Sequence, residues 1–314
     1  LLLESPNPND PLLLMKIDKN NLKNGSFVSF QKPKNFSSSC FEIYGDTLLI
    51  GSRMSTFGIF QISPSQNTPK LIKQLSPGDN TTSITFTGKY HLKNPIFSIT
   101  NRDGFYNFVS VNIQTLEHVI IHSNKIAKGF LQHGNFSSNG DYIINGFKSN
   151  IFHISNESQN YEIVSESCGG AHRQWGLFEK DDGSDGKVFV YARGPLHIRD
   201  ISDYTHTVQT LNNGIHGREI RDITFQPDQL NSTDVLFVTA SEDTTLKVCS
   251  FNTDSGKITQ YWTQRKHVSG LQRAKFINSN LLISCSGREE LFLWELHKSD
   301  DGYPFLNLRE SLPS

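Results

Sequence analysis

The sequence has few cysteines and no long apolar segment. The four cysteines, Cys40, Cys168, Cys249 and Cys285, form no CxxC pair, and four in 314 residues do not make a disulfide framework. We therefore expect a reducing, cytoplasmic environment. The apolar runs, such as "LLLMKI", are far shorter than the roughly 20 residues needed to cross a bilayer, so we expect no membrane association.

Catalytic signatures and a strong net charge are also missing. The sequence contains no HExxH zinc motif, no GxxxxGK[ST] phosphate loop, no GxSxG elbow and no dinucleotide fingerprint. We therefore predict that the protein is not an enzyme and holds no metal or cofactor. With 30 basic and 31 acidic residues the net charge is -1, which excludes a uniformly basic nucleic-acid binder but allows charge to be segregated on the surface.

One stretch, "CGGAHRQWGL" at residues 168–177, is dense in side chains that could do chemistry. Cys168 and His172 lie four residues apart on a predicted loop, where nothing enforces the geometry of a catalytic pair, and no second pair offers metal spacing. We expect Trp175 to pack between sheets and His172 to be a hydrogen-bonded structural residue. The alternative is that His172 and Arg173 belong to a binding face, because a guanidinium is rarely fully buried.

What the sequence does contain is a repeat. Helical periodicity is almost absent, whereas short apolar or alternating runs recur about every 46 residues: "LLIGS", "IFSIT", "YIING", "FVYA", "LFVTA" and "LLISC". A period near 40 to 50 with four strands per unit is the signature of a β-propeller. Counting a partial unit at about residues 1–32, the pattern predicts an all-β, seven-bladed propeller. It would form a single domain over residues 1–314 with an incomplete first blade.

Two late units resemble WD repeats, "HGREIRDITFQP...LFVTASEDTTLKVCS" and "HVSGLQRAKF...LLISCSGREELFLWEL". In WD repeats a loop His, a Ser or Thr, a turn Asp and a Trp form a buried hydrogen-bonded set, and such a network stabilises one geometry when it is complete. Here Cys249 replaces the Trp of the first set, and Arg288 stands at the Asp position of the second. We assign structural roles to the remaining members, His216, Thr239, Asp243, His267, Ser284 and Trp294.

Cations follow the second predicted strand in most units. In a propeller the turns after these strands and the loops leading into the first strands lie on one face, where a focused positive field can attract a polyanion. The alternative is that the cations bind local carbonyls or pair with neighbours such as Glu289 and Glu219. The candidate rim for a partner or RNA comprises Arg53, Arg102, Lys148, Arg193 and Arg288 in the turns, with Arg173 and Arg218 in the loops.

Four segments together, "CGGAHRQWG", "HGREIRDITF", "SEDTTLKV" and "HVSGLQRAKF...SGREELFLWEL", resemble one WD-repeat family. Its members are non-catalytic partners of the methyltransferase that adds a 2′-O-methyl group to the wobble ribose of tRNA. They are long cytoplasmic proteins with several propellers, and with no Met at position 1 we expect this chain to be one propeller cut from such a protein.

The resemblance implies an S-adenosylmethionine-dependent tRNA methyltransferase as partner, a role in presenting tRNA, and no methyl donor bound by this chain itself. A second hypothesis is a WD-repeat protein-interaction scaffold that does not bind RNA. A propeller enzyme ranks last, because the predicted innermost strands supply too few acidic residues for a glycosidase-type pair.

Overall fold

The structure is a computed structural model. It describes residues 1–7, 9–18, 21, 25–32, 36–54, 56–62, 71–74, 79–126, 129–180, 186–201, 215–229 and 232–312. Within these ranges the regular elements are all β-strands, arranged in seven antiparallel sheets. The same part of the chain contains no helix with the length and apolar character that a bilayer crossing requires.

The first four sheets follow one another along the chain. The first has three strands, β1 (Leu2–Leu3), β2 (Leu12–Ile17) and β3 (Gly25–Phe30). The second contains β4 (Ser38–Tyr44), β5 (Thr47–Ser52), β6 (Thr56–Gln61) and β7 (Leu71–Gln74). The third contains β8 (Thr81–His91), β9 (Asn94–Asn101), β10 (Phe105–Val111) and β11 (His118–Lys125), and the fourth β12 (Phe130–Phe136), β13 (Tyr142–Lys148), β14 (Ile151–Asn156) and β15 (Tyr161–Ser167).

The last three sheets continue this plan. The fifth has three described strands, β16 (Trp175–Glu179), β17 (Lys187–Ala192) and β18 (Leu196–Ile201). The sixth contains β19 (Ile220–Phe225), β20 (Asp234–Ser241), β21 (Leu246–Asn252) and β22 (Ile258–Gln264). The seventh contains β23 (Leu271–Phe276), β24 (Leu281–Ser286), β25 (Leu291–Lys298) and β26 (Pro304–Leu312).

The repeat in the sequence corresponds to one strand position. The six recurring apolar runs lie in β5, β9, β13, β17, β20 and β24, the second strand of each complete or nearly complete sheet. All six residues of β5 are buried, because a strand inside a sheet that is covered on both faces needs apolar side chains on both. β4, at the sheet edge, alternates between half-buried and exposed residues. The all-β fold and the seven antiparallel sheets are confirmed.

Sheets one to five pack against their neighbours in chain order. The innermost strands β4, β8 and β12 contact one another, and the Ser39 hydroxyl donates to the Thr81 carbonyl across the first of these contacts. Between the fourth and fifth sheets, the rings of Phe152 and Phe189 stack with centroids 4.0 Å apart. The first–second, second–third and fourth–fifth junctions each bury an apolar cluster of their own, whereas the third–fourth junction belongs to a larger cluster that it shares with the sixth and seventh sheets.

The sixth and seventh sheets pack on each other through β19 and β23 and meet the earlier sheets in an unexpected place. The outermost strand of the third sheet, β11, lies against the outermost strand of the seventh, β26, where the Asn307 amide donates to the Ile120 carbonyl at 3.1 Å. Outermost blade strands lie on the circumference of a propeller, and other blades separate the third from the seventh. Among the described residues, the sheets therefore form two runs that meet through outer strands. The single domain expected over residues 1–314 stays a prediction.

The largest apolar cluster lies at this meeting point. Trp262 of β22 is fully buried among Phe108, His122 and Phe305, and its indole N–H donates to the Pro304 carbonyl at 2.7 Å. In contrast, strands at the ends of the two runs expose apolar side chains. Ile198 of β18 is 64% exposed and Phe225 of β19 is 57% exposed.

Candidate functional site

The seven candidate rim residues lie at the ends of the sheets where the sequence placed them, in turns or in the loops before first strands. Arg53, Arg102, Arg193 and Arg288 lie in the turns after β5, β9, β17 and β24, and Lys148 is the last residue of β13. Arg173 precedes β16, and Arg218 precedes β19. All except half-buried Lys148 are exposed.

Two of the seven are held by polar contacts of their side chains with neighbouring residues. The Lys148 ammonium forms an ion pair with Glu162, and the Arg193 guanidinium donates to the Ser167 carbonyl at 3.2 Å and to the Ser167 hydroxyl at 3.3 Å. Burial raises the pKa of Glu162, but the hydrogen bond and charge of Lys148 lower it more, so its pKa lies below the ordinary value. Lys148 is therefore largely neutralised, and Arg193 is fixed in place with its charge exposed.

The stretch at residues 168–177 divides between core and surface. Cys168 is buried against the Asn150 carbonyl, and Trp175 packs against Phe147 of the preceding sheet with ring centroids 5.1 Å apart. His172 and Arg173 are exposed. Trp175 thus packs between sheets, whereas His172 is not the buried hydrogen-bonded residue that the sequence favoured.

Glycine at position 169 brings two rim cations together. Gly169 has a φ of +91°, and a Cβ there would lie 3.4 Å from Arg173 Cγ and 3.9 Å from Arg193 Cδ. The left-handed backbone is inexpensive for glycine because it has no Cβ to clash. Side chains from the loop before β16 and from the turn after β17 therefore share one surface.

The sixth sheet contains a continuous polar set. His216 Nδ1 lies 2.9 Å from Asp243 Oδ2, and Nε2 lies 2.7 Å from Thr239 Oγ1. The Thr245 hydroxyl and the Gly217 N–H also donate to the Asp243 carboxylate. Burial raises the pKa of Asp243, but the hydrogen bonds from His216, Thr245 and Gly217 lower it more, so the carboxylate stays ionised. The set ties the loop before β19 to the turn after β20.

The seventh sheet has an equivalent set with a different acid. His267 Nε2 and Trp294 Nε1 both lie 2.7 Å from the Ser284 hydroxyl. His267 Nδ1 lies 3.2 Å from Glu290 Oε2, and Glu290 also accepts from the Ser286 hydroxyl. Arg288, at the expected Asp position, is exposed. The alignment of the repeats pointed to position 288 and missed Glu290, which lies two residues later. At the equivalent position of the sixth sheet, Thr245 Oγ1 lies 3.2 Å from His216 Nδ1, so this position faces the histidine in both sheets.

Sequence reasoning also missed two cations at the junction of the two runs of sheets. Lys125, at the end of β11, and Lys266, in the loop after β22, both approach the ring of Phe105. They are far apart in sequence and belong to different sheets. No local pattern could have paired them, because only the packing of the sixth sheet on the third brings them together.

The chain matches no known protein-family profile. Its curated relatives include proteins named tRNA (34-2'-O)-methyltransferase regulator WDR6. The orangutan (Pongo abelii) and human proteins are each 26% identical over 220 residues, and the rat protein is 24% identical over 219 residues. These matches cover 61% of this chain and 18% of each relative, so the chain spans under a fifth of their length. The relatives are named as regulators of a methyltransferase.

Among solved structures, the chain is similar to a chain of the mitotic checkpoint complex crystal structure. The sequence identity is 12%, the TM-score is 0.41, and the match covers 92% of this chain and 82% of that one.

Proposed function

We propose that the chain belongs to a non-catalytic WD-repeat subunit that binds a tRNA 2′-O-methyltransferase and helps to position tRNA for ribose methylation at the wobble nucleotide. The observation that carries this proposal is the similarity over 220 residues to proteins named as regulators of tRNA (34-2'-O)-methyltransferase. In this proposal the partner enzyme binds S-adenosylmethionine, and this chain contributes binding surface.

The proposal includes the architecture. We infer that each of the seven sheets is a blade of a WD-type β-propeller, in a longer cytoplasmic chain with several propellers. The His216–Asp243 and His267–Glu290 pairs support this, because each fixes a loop against a turn as the WD hydrogen-bonded set does. The packing of β11 on β26 supports a further step, in which the two runs of sheets belong to adjacent propellers.

The surface that would serve this function is the set of exposed cations at the sheet ends. Within the described residues the guanidinium groups of Arg173, Arg218 and Arg288 have no carboxylate partner. A cation that is not neutralised by a neighbour can attract RNA phosphates and displace their counterions on binding. Arg53 and Arg102 likewise form no ion pair with a described carboxylate, and Arg173, Arg218 and Arg288 are chosen for the test because they come from three successive sheets, the fifth, sixth and seventh.

A scaffold that binds only proteins is the second candidate. The ion pair of Lys148 with Glu162 and the hydrogen bond of Arg193 to Ser167 favour the scaffold, because both contacts are expected if the rim cations stabilise their own sheets. Under this hypothesis the chain joins proteins in a complex and has no affinity for tRNA.

The two functions are separated by measuring tRNA binding and methyltransferase capture in parallel. The full chain is compared with a variant carrying Arg173→Glu, Arg218→Glu and Arg288→Glu. The matched control carries Lys16→Glu, Lys93→Glu and Lys257→Glu, three exposed cations at the opposite ends of the sheets with the same total change of charge. Binding of a transcribed tRNA is measured at two salt concentrations, and co-purified proteins are identified by mass spectrometry.

The proposed function predicts that the unmodified chain retains a tRNA methyltransferase and increases wobble 2′-O-methylation. The arginine variant should lose most tRNA affinity, whereas the lysine control should lose little. Recovery of other complexes without a methyltransferase, together with no tRNA affinity in the complex, would instead establish the scaffold.

A further inference from the structure

Two lysines outside the candidate rim share one aromatic ring. Lys125 Nζ lies 4.7 Å and Lys266 Nζ lies 5.6 Å from the centroid of Phe105. Lys125 is exposed and Lys266 is half-buried. Burial lowers the pKa of Lys266, and the nearby charge of Lys125 lowers it further. The two ammonium groups are therefore close enough to repel each other, at a site where water screens Lys266 only partly.

Neither ammonium group is neutralised within the described part of the chain. No carboxylate there forms an ion pair with Lys125 or Lys266, and their close contacts are those with the Phe105 ring. An aromatic ring attracts a cation through its negative face, but this interaction is weaker than a charge pair. Two like charges held together in this way leave a local positive potential that an anion would stabilise.

A close backbone contact extends the cluster from the third sheet to the fourth. A Cβ added at Gly104 would lie 2.8 Å from the Gly129 carbonyl oxygen, so the turn before β10 and the loop before β12 approach more closely than larger residues allow. Phe130 follows Gly129, and the Arg102 guanidinium carbon lies 5.8 Å from the Phe130 ring centroid. Arg102 is exposed and lies three residues before Phe105. Lys266 and Lys125 therefore meet at Phe105, and Arg102 lies three residues earlier in the chain, in the turn that packs against the loop before β12.

We propose that Lys266, Lys125 and Arg102, hereafter the phosphate track, bind successive phosphate groups of an RNA backbone that crosses from the sixth sheet to the third and fourth sheets. The inference rests on the proposed function for its choice of RNA, and on the cation geometry for its location. The phosphate track shares Arg102 with the candidate rim and adds two lysines that the repeat did not identify.

A polyanion fits this surface better than a single charged group does. The three cations come from both runs of sheets and contact two different aromatic rings, so they suit a ligand that carries several negative charges. A single phosphate would contact only the lysine pair. Two acidic residues near Arg102 each accept a backbone N–H, which holds their carboxylates in place but does not cancel their charge. The carboxylate of Asp103 accepts the Asp79 N–H at 3.0 Å, and that of Asp79 accepts the Asn80 N–H at 2.8 Å.

The test is the salt dependence of binding to a transcribed tRNA. In the full chain, Lys125→Gln with Lys266→Gln should weaken binding about tenfold at moderate salt. It should also reduce the slope of log Kd against log salt by about 1.4, because each lost contact with a single-stranded phosphate removes roughly 0.7. Lys125→Arg with Lys266→Arg keeps both charges and should preserve the slope. Lys16→Gln with Lys257→Gln, at the opposite ends of their sheets, controls for net charge.

The outcomes separate the phosphate track from the proposed function. An unchanged slope in the glutamine variant, with normal thermal unfolding, overturns the track even if the protein still activates the methyltransferase. Loss of methyltransferase capture with unchanged tRNA affinity also overturns it, because the lysines would then bind an acidic protein surface. A reduced slope in the glutamine variant alone, with the arginine variant and the control close to wild type, supports the track.

Discussion

The contact between the fourth and sixth sheets yields the sharpest stability prediction. Arg265, in the loop after β22, binds the Glu157 carboxylate at 2.5 Å and Asn160 Oδ1 at 2.6 Å, both in the turn between β14 and β15. The Tyr106 hydroxyl donates to the same carboxylate at 2.8 Å. The Glu157 side chain is only 5% exposed. Replacing Arg265 with Met therefore leaves a buried carboxylate with the Tyr106 hydroxyl as its remaining side-chain donor.

Breaking a buried ion pair by removing one partner typically costs about 3 to 5 kcal/mol of unfolding free energy, which sets the expected loss for Arg265→Met. Glu157→Gln removes the charge but keeps an acceptor for Tyr106. The double variant should therefore recover part of the loss, with a coupling energy of about 1 to 3 kcal/mol. Urea unfolding followed by tryptophan fluorescence measures each free energy, provided that the m values agree among the variants.

The control is Arg221→Met, which removes an exposed guanidinium paired with Glu219 and Glu242, and it should not change the unfolding midpoint measurably. A coupling energy below about 0.5 kcal/mol between Arg265 and Glu157 would refute the reasoning, because groups in direct contact do not behave additively. It would mean that the sixth sheet does not pack on the fourth in solution.

Three further predictions concern the hydrogen-bonded sets, buried histidine and tight turns. Glu290→Ala should lower the unfolding free energy by about 1 to 3 kcal/mol because it removes a charged acceptor from buried His267. Arg288→Ala should change the unfolding free energy little, because Arg288 is exposed, and the urea midpoints of the two variants measure the difference. Burial lowers the pKa of His122 to about 3, below its unfolded value of 6.5. Between pH 6.5 and 3 only the unfolded state binds a proton at His122, so the unfolding free energy should fall as the pH falls, by up to about 1.4 kcal/mol per pH unit. The variant His122→Gln should show a flatter dependence of unfolding free energy on pH. Gly129→Ala should lower the melting temperature more than Gly140→Ala, because both have positive φ but only a Cβ at Gly129 would meet a backbone oxygen, 2.3 Å away.

The candidate site was predictable where it depends on position within one repeat. The turn cations and the His216 set follow from aligning the repeats, because hydrogen-bonding groups in one sheet keep a fixed spacing in sequence. The role of Glu290 was not predictable from that alignment, since the sixth sheet has Thr245 at the equivalent position and takes its carboxylate from Asp243, two residues earlier. The local neutralisation of Lys148 was likewise hidden, because Glu162 lies two strands away in the sheet.

The sequence by itself determined the strands and their grouping into sheets. Alternation of apolar and polar residues is local, and a buried second strand such as β5 is apolar wherever its sheet is placed. Only the tertiary structure decided which sheets are neighbours: β11 lies against β26, and Lys125 lies beside Lys266. The apolar faces of the seven sheets have similar compositions, so the sequence of one face does not specify which other face it packs against. That pairing depends on long-range packing and on a few directional contacts, such as the ion pair between Arg265 and Glu157.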